Sequence, residues 1–315
     1  MALYIRKAKN KTVFLHESSF AIIIVDVIMF HSDKFLQKPL LTSKKEMKMK
    51  SVKHIFMAIL LTEAIMVYSE ESPNTGAPAG KVEKQAGTDV NDPNTTISQL
   101  GFEVDTIKTK AGDLKITFIG HATLMFDFAG KIIHVDPVSR EADYSKLPKA
   151  DLILVTHEHG DHLDAKAINL LKKDATQVVL TKTCAQQVSG GTVMQNGDTK
   201  TIGDLKIEAV PAYNLEKAFH PRGQGNGYVI TFGDKRVYIG GDTENIPEMK
   251  NLKDIYIAFL PMNLPYTMTP EMVADAAKVF KPKILYPYHY GQTDTSKIVD
   301  LLKDSGIKVL IRKMP

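Results

Sequence analysis

Three histidines and an aspartate fall within six residues, in the run Thr156-His157-Glu158-His159-Gly160-Asp161-His162-Leu163. The largely apolar stretch 151–155 leads straight into them. On extended chain, side chains two residues apart point to the same side, so His157 and His159 present their imidazoles in one direction. Gly160 permits a sharp turn. Asp161 and His162 are expected at the start of the next helix, swung back toward the same point. Four ligand-type side chains this close in sequence can surround two metal ions at little cost in loop entropy. Imidazole and carboxylate donors suit zinc, with manganese and iron as alternatives. Asp161 is also placed to accept a proton from water. A polar loop that merely held three histidines would not need this spacing after a buried strand.

The elements around this run read as strands first, then strands alternating with helices. Residues 114–119, 123–128 and 132–135 alternate as strands, with Gly130-Lys131 as a hairpin signal. Residues 152–156 form a continuous apolar run, as in a strand buried on both faces. Residues 165–173 have helical spacing. Residues 178–180 read as a strand and 184–188 as a short helix. Strands follow at 201–202, 206–210, 227–232 and 236–239, then at 255–260 and 284–286. Pro270 opens a helix through residue 280, residues 296–304 form another, and 309–311 close as a strand. The same order in both halves predicts an α/β (α+β) architecture of two packed sheets with helices outside.

The amino-terminal third differs. Lys48, Lys50 and Lys53 precede an apolar run, 55–68, of the length of a secretory signal core, although Glu63 interrupts it. Val67 and Ser69 suit cleavage before Glu70. Residues 47–69 are therefore read as a signal peptide and the protein as exported, periplasmic or secreted; a buried helix in a cytoplasmic protein is the competing reading. A signal peptide belongs at an amino terminus, so residues 1–46 read as a mis-annotated extension, with Met47 or Met49 as the start. Residues 70–110 open with a stretch rich in Pro, Gly, Asn, Thr and Ser and read as a flexible linker. Residues 111–315 are the expected folded domain.

Composition narrows the function. The 315 residues are 43% hydrophobic and 24% charged, with a net charge of +4, which gives no electrostatic case for nucleic acid. A single Cys makes neither an internal disulfide nor a thiolate-rich zinc cluster. No stretch reaches about 18 uninterrupted apolar residues, which excludes a multi-span membrane protein and leaves no span in the mature chain. Seven of the ten histidines fall between His121 and His289. The partner expected is a small-molecule substrate, and nothing in the pattern specifies an oligomer.

The H-x-H-x-D-H run resembles the signature of the metallo-β-lactamase superfamily, over roughly residues 114–312. The resemblance implies a four-layer αββα sandwich. It also implies that Asp242, in Gly240-Gly241-Asp242-Thr243, bridges two metals, and that His289, in Tyr288-His289-Tyr290, is the last histidine ligand. One motif departs from the family. Where a histidine usually follows the strand at 206–210, the chain has Ala212-Tyr213-Asn214. Either the Asn214 amide stands in that slot or His220, six residues later, supplies the imidazole. His157 and His159, with His220 if it ligates, would then hold one ion, and Asp161, His162 and His289 the other. The Gly120-His121-Ala122-Thr123 and Asp136-Pro137 motifs look like the branch containing ascorbate-6-phosphate lactonase and the N-acyl-phosphatidylethanolamine phospholipase D. His121 would face the site, either touching it or orienting a ligand, and Asp136 would stand behind the ligands.

Such a site implies a dinuclear metal-dependent hydrolase, with two divalent ions and a metal-bridging hydroxide acting on a small ester, lactone, amide or phosphodiester. The competing readings are a nuclease of the same fold, a di-iron redox enzyme and a metal-depleted binding protein. The loop from Tyr213 to Gly227, with Lys217 and Arg222, reads as the substrate loop, where Arg222 could pair with a phosphate or carboxylate. Tyr266, Tyr288 and Tyr290 read either as pocket or as core. Cys184 reads as buried and inert.

Overall fold

The structure is a computed structural model that describes residues 5–8, 11–14 and 97–314. The chain divides into two compact units, Met1–Lys84 and Gln85–Pro315. In the first, β1 (Ile5–Ala8) pairs antiparallel with β2 (Lys11–Phe14). The signal-type segment 47–69 and most of the linker, to residue 96, lie outside the described residues.

The second unit contains two seven-stranded sheets. The first runs β3 (Glu103–Thr109), β4 (Gly112–Gly120), β5 (Thr123–Phe128), β6 (Lys131–Val135), β7 (Leu152–Leu154), β8 (Gln177–Leu180) and β9 (Thr192–Val193). The second runs β10 (Thr199–Ile202), β11 (Leu205–Ala212), β12 (Gly225–Phe232), β13 (Lys235–Ile239), β14 (Ile255–Pro261), β15 (Ile284–Tyr288) and β16 (Lys308–Val309). In each sheet the first four strands are antiparallel neighbours and the last three join in parallel. Parallel neighbours require crossovers. Helix α1 (Ala165–Leu171) supplies one between β7 and β8; α2 (Pro270–Phe280) and α3 (Ser296–Leu302) supply two in the second sheet.

Side-chain alternation builds the layers. Leu152 and Leu154 join Phe118, Phe126, Ile207, Ile230, Ile257 and Phe259 between the sheets. Ile153 and Val155 face the other way, packing with Ile168 and Leu171 of α1. Ala258 and Leu260 face Val273, Ala277 and Ile298 of α2 and α3. Three apolar interfaces thus separate four layers, helix–sheet–sheet–helix, the αββα sandwich expected from the motifs. Because both faces of β7 and β14 are covered, their sequences are continuously apolar rather than alternating.

Two expectations are corrected here. The stretch read as linker through residue 110 is ordered from residue 97: Ile97–Leu100 is a short 3-10 helix, and Glu103–Thr109 is an edge strand on β4. Its polar alternation hid it, since only one face is half-buried. Its anchor is Asp105, whose carboxylate accepts from Arg312 at 2.8 Å and from the Tyr286 hydroxyl at 2.5 Å. Asp161 and His162, in turn, do not begin a helix. Asp164 caps α1 by accepting from the Lys166 and Ala167 amides, so the helix starts at Ala165, and the two residues occupy the preceding turn.

Candidate metal centre

One edge of the sandwich, where loops leave the strand ends of both sheets, collects the ligand-type residues. The β4–β5 turn brings His121, the loop after β7 brings His157, His159, Asp161 and His162, and the β11–β12 loop brings His220. Asp242 follows β13 and His289 follows β15. Their donor atoms form three groups, each within 4.8 Å: His157, His159 and His220; His157, His162 and Asp242; and His121, Asp161, His162 and His289. All seven residues expected from the sequence meet here, and His121 joins them.

Asp242 sits at the centre. Its Oδ2 lies 3.1 Å from His220 Nε2 and 3.9 Å from His157 Nε2. Its Oδ1 lies 3.4 Å from His162 Nε2 and 3.6 Å from His289 Nε2. His289 Nε2 is also 3.4 Å from Asp161 Oδ2, and His220 Nε2 is 3.1 Å from His159 Nδ1.

Behind the ligands, Asp136 is fully buried and accepts three hydrogen bonds. The Thr156 amide donates at 2.8 Å, the Thr156 hydroxyl at 2.6 Å and His162 Nδ1 at 2.8 Å. With its proton given to Asp136, the Thr156 hydroxyl can only accept from His157 Nδ1, 3.1 Å away. One carboxylate therefore sets the tautomer of two histidines and leaves the Nε2 lone pair of each free toward Asp242.

That arrangement supplies the test of whether a metal fits. His157 Nε2, His162 Nε2, His289 Nε2 and Asp242 Oδ1 are all buried without a hydrogen-bond partner. Leaving one such atom unsatisfied costs about 1–3 kcal/mol, so four converging on one point call for a cation. The electrostatics agree. Burial, then repulsion from His162, holds His157 well below the usual histidine range. Burial opposes a charge on His162, but Asp242 and Asp136 on either side lift its pKa well above that range. The carboxylates on either side of His162 thus favour positive charge at this place. Burial raises the Asp161 pKa, and the close approach of the His121 and His289 rings more than reverses this, keeping it ionised.

Backbone strain marks the same place. Of the seven non-glycine residues with positive φ among the described residues, four are His121 (52°), Asp136 (44°), His220 (56°) and His289 (48°). Each costs about 1–3 kcal/mol and persists only where the surroundings impose it. No sequence period reports φ, so this signal was invisible beforehand.

Asn214 meets His220 on its Nδ1 side, away from the Nε2 that faces Asp242. Its Nδ2 donates to the carbonyls of Phe219 and Tyr266 at 3.0 and 2.8 Å and lies 3.2 Å from His220 Nδ1, so the amide clasps the loop behind His220. Gly225 and Gly227, expected in that loop, are part of β12. A Cβ on Gly227 would come within 2.9 Å of the carbonyl oxygens of Ile239 and Gly240. Lys217 pairs with Glu244 at 2.8 Å and Arg222 with Glu248 at 2.5 Å, so both cations fasten the loop. Among the tyrosines, Tyr288 is core, accepting from the Gly241 amide at 2.9 Å, and Tyr290 donates to the Arg312 carbonyl. Tyr266 is exposed and meets Phe219 edge-on at 5.2 Å, beside His220. Cys184 is buried, and burial raises its thiol to about 11.

Residues 115–289 match the family model of the β-lactamase superfamily domain. The UPF0173 metal-dependent hydrolase of Pelotomaculum thermopropionicum is 33% identical over 196 residues, 56% of this chain and 85% of that one. A candidate metal-dependent hydrolase from Parabacteroides distasonis, of known structure, is 55% identical with a TM-score of 0.67, over 68% of this chain and 100% of that one. Igni18, a metallo hydrolase from Ignicoccus hospitalis, is 25% identical with a TM-score of 0.54, over 64% of this chain and 95% of that one. With the fold and the H-x-H-x-D-H site already in place, the chain belongs to the metallo-β-lactamase superfamily, as one of its hydrolases.

Proposed function

We propose that the chain is a dinuclear metal-dependent hydrolase of a small ester, lactone, amide or phosphodiester. The observation that carries this reading is the convergence of four buried, unpartnered donor atoms from both halves of the fold. His157, His159 and His220 would hold one ion, Asp161, His162 and His289 the other, and Asp242, with an oxygen toward each group, would bridge them. Divalent ions at such a site, zinc first among them, polarise a carbonyl or phosphoryl oxygen and bring the pKa of bound water toward neutrality.

The protein's own groups do the rest. Asp136 and Thr156 lock the His157 and His162 rings, so the donors need no rearrangement on binding. Asp161 is the most open of the acidic groups, with a side chain 31% exposed, and stands at the mouth as an ionised acceptor for the proton lost by attacking water. Phe219 and Tyr266 offer an apolar rim beside His220 for the non-reacting part of a substrate. Export through residues 47–69 belongs to the same proposal: amino-terminal sequencing of the native protein should begin at Glu70, and an uncleaved chain in the cytosol would refute it.

The function is tested by screening the purified chain against lactone, phosphodiester and acyl-amide substrates, with and without a chelator. Hydrolysis of one class, lost on chelation and restored by zinc, manganese or iron, is the expected result. Activity indifferent to chelation would remove the reading.

A further inference from the structure

We propose that His121 is itself a ligand of the second metal position, giving that position an imidazole beyond Asp161, His162 and His289. This rests on the dinuclear reading above. Three independent features point to it.

The first is reach. A ring nitrogen of His121 lies within 4.8 Å of donor atoms of Asp161, His162 and His289, the same closeness that groups His157, His159 and His220. His121 Nε2 is 3.2 Å from Asp161 Oδ2, and its ring centroid is 3.7 Å from that of His289. The second is backbone support. The His121 carbonyl accepts from the His289 amide at 2.9 Å, which ties the two loops together, and both residues hold positive φ. A left-handed histidine in a tight β4–β5 turn is strained unless its direction matters. The third is topology. His121 occupies the connection between the second and third strands of the first sheet, and His220 occupies the same connection of the second. Their φ values, 52° and 56°, agree. Each half of the fold thus sends one histidine from the same loop, His220 to one metal position and His121 to the other.

Ligation and mere orientation of Asp161 make different predictions. In His121→Gln the amide still donates to Asp161 but is a poor ligand, whereas His121→Ala removes both functions. If His121 ligates, both variants should bind the second equivalent of zinc more weakly by more than the roughly 10–100-fold that loss of an orienting partner costs. If it only orients Asp161, His121→Gln should hold zinc within about threefold of wild type, and the proposal falls.

A direct count decides it. In the full-length protein loaded with cobalt(II), each ligating histidine gives one exchangeable, paramagnetically shifted imidazole N–H proton resonance. Six are expected, from His121, His157, His159, His162, His220 and His289; His121→Gln should remove one. Two bound cobalt ions with five resonances in wild type, unchanged in His121→Gln, would overturn the assignment and leave the dinuclear reading intact. Fewer than two bound ions in wild type would overturn the dinuclear reading itself.

Discussion

The two sheets share a topology but divide the chemistry unequally. In each, the loop between the second and third strands carries a histidine, His121 or His220, and an aspartate follows the fourth strand, Asp136 or Asp242. After the fifth strand they part. The first sheet places His157, His159, Asp161 and His162 there; the second places Asn263, whose amide lies 3.2 Å from His289 Nδ1. After the sixth strand the second sheet supplies His289, while the first supplies Thr181 and Thr183, whose hydroxyls are 2.8 Å apart, and Thr183 donates to Glu158. Each half therefore orients the residues that it presents itself.

The aspartates show the division most clearly. Both are buried at the end of a fourth strand. Asp136 is filled by three donors on the far side of the histidines, whereas Asp242 faces their Nε2 atoms and keeps one oxygen without a partner. Equal topology has produced one carboxylate that positions histidines and one that faces their Nε2 atoms. The difference lies in which side of the imidazoles each meets.

Paired substitutions can break this comparison. Asp242→Asn should lower turnover by about a thousandfold or more and release metal, because the one carboxylate with an oxygen toward both histidine groups loses its charge. Asp136→Asn should weaken zinc binding by about 10–100-fold while leaving a folded, metal-competent protein, as expected for a group acting through ligands. Equal losses of bound metal in the two variants, measured by elemental analysis, would erase the distinction.

The loop histidine of the second sheet gives the next largest effect. His220→Ala should cost the first position one ion at limiting zinc. Asn214→Ala should weaken that ion about tenfold, since the amide holds the Phe219 and Tyr266 carbonyls around His220. Zinc titration of both variants checks this, and an unchanged ion count in His220→Ala would remove His220 from the ligand set.

The smallest effect concerns His134, in β6 just ahead of Asp136. Its Nε2 donates to the Pro148 carbonyl at 3.1 Å, and burial lowers its pKa to about 4. Above pH 6.5 it is neutral in folded and unfolded chains alike. As pH falls from 6.5 toward 4, the unfolded chain takes up the proton first, so stability drops, and below about 4 the loss levels off. Between pH 6.5 and 5 the loss is about 1.6 kcal/mol. His134→Gln should flatten that part of the stability–pH curve in denaturant unfolding; an identical slope would show that other groups dominate.

Much of this was legible because residue type and period carry it. Ligand spacing put His157, His159, Asp161 and His162 at one point, and apolar runs placed β7, β13 and β15 ahead of their ligands. What escaped depends on distant partners. Glu103–Thr109 is an edge strand held through Asp105 to Arg312, 207 residues away, and no local window reports that bond. The slot after β11 stayed open between Asn214 and His220 in the sequence, because only the left-handed turn at His220 brings that histidine back to the site. The closeness of His121 to His289 likewise follows from the meeting of two sheets.

The central claim is that the two halves jointly hold two divalent ions. Metal-to-protein stoichiometry of the purified full-length chain, by mass spectrometry of the elements after dialysis against zinc, tests it most directly. Two ions per chain, falling in Asp242→Asn, is the predicted result. One ion or none in the wild-type protein, or a count unmoved by Asp242→Asn, would contradict it.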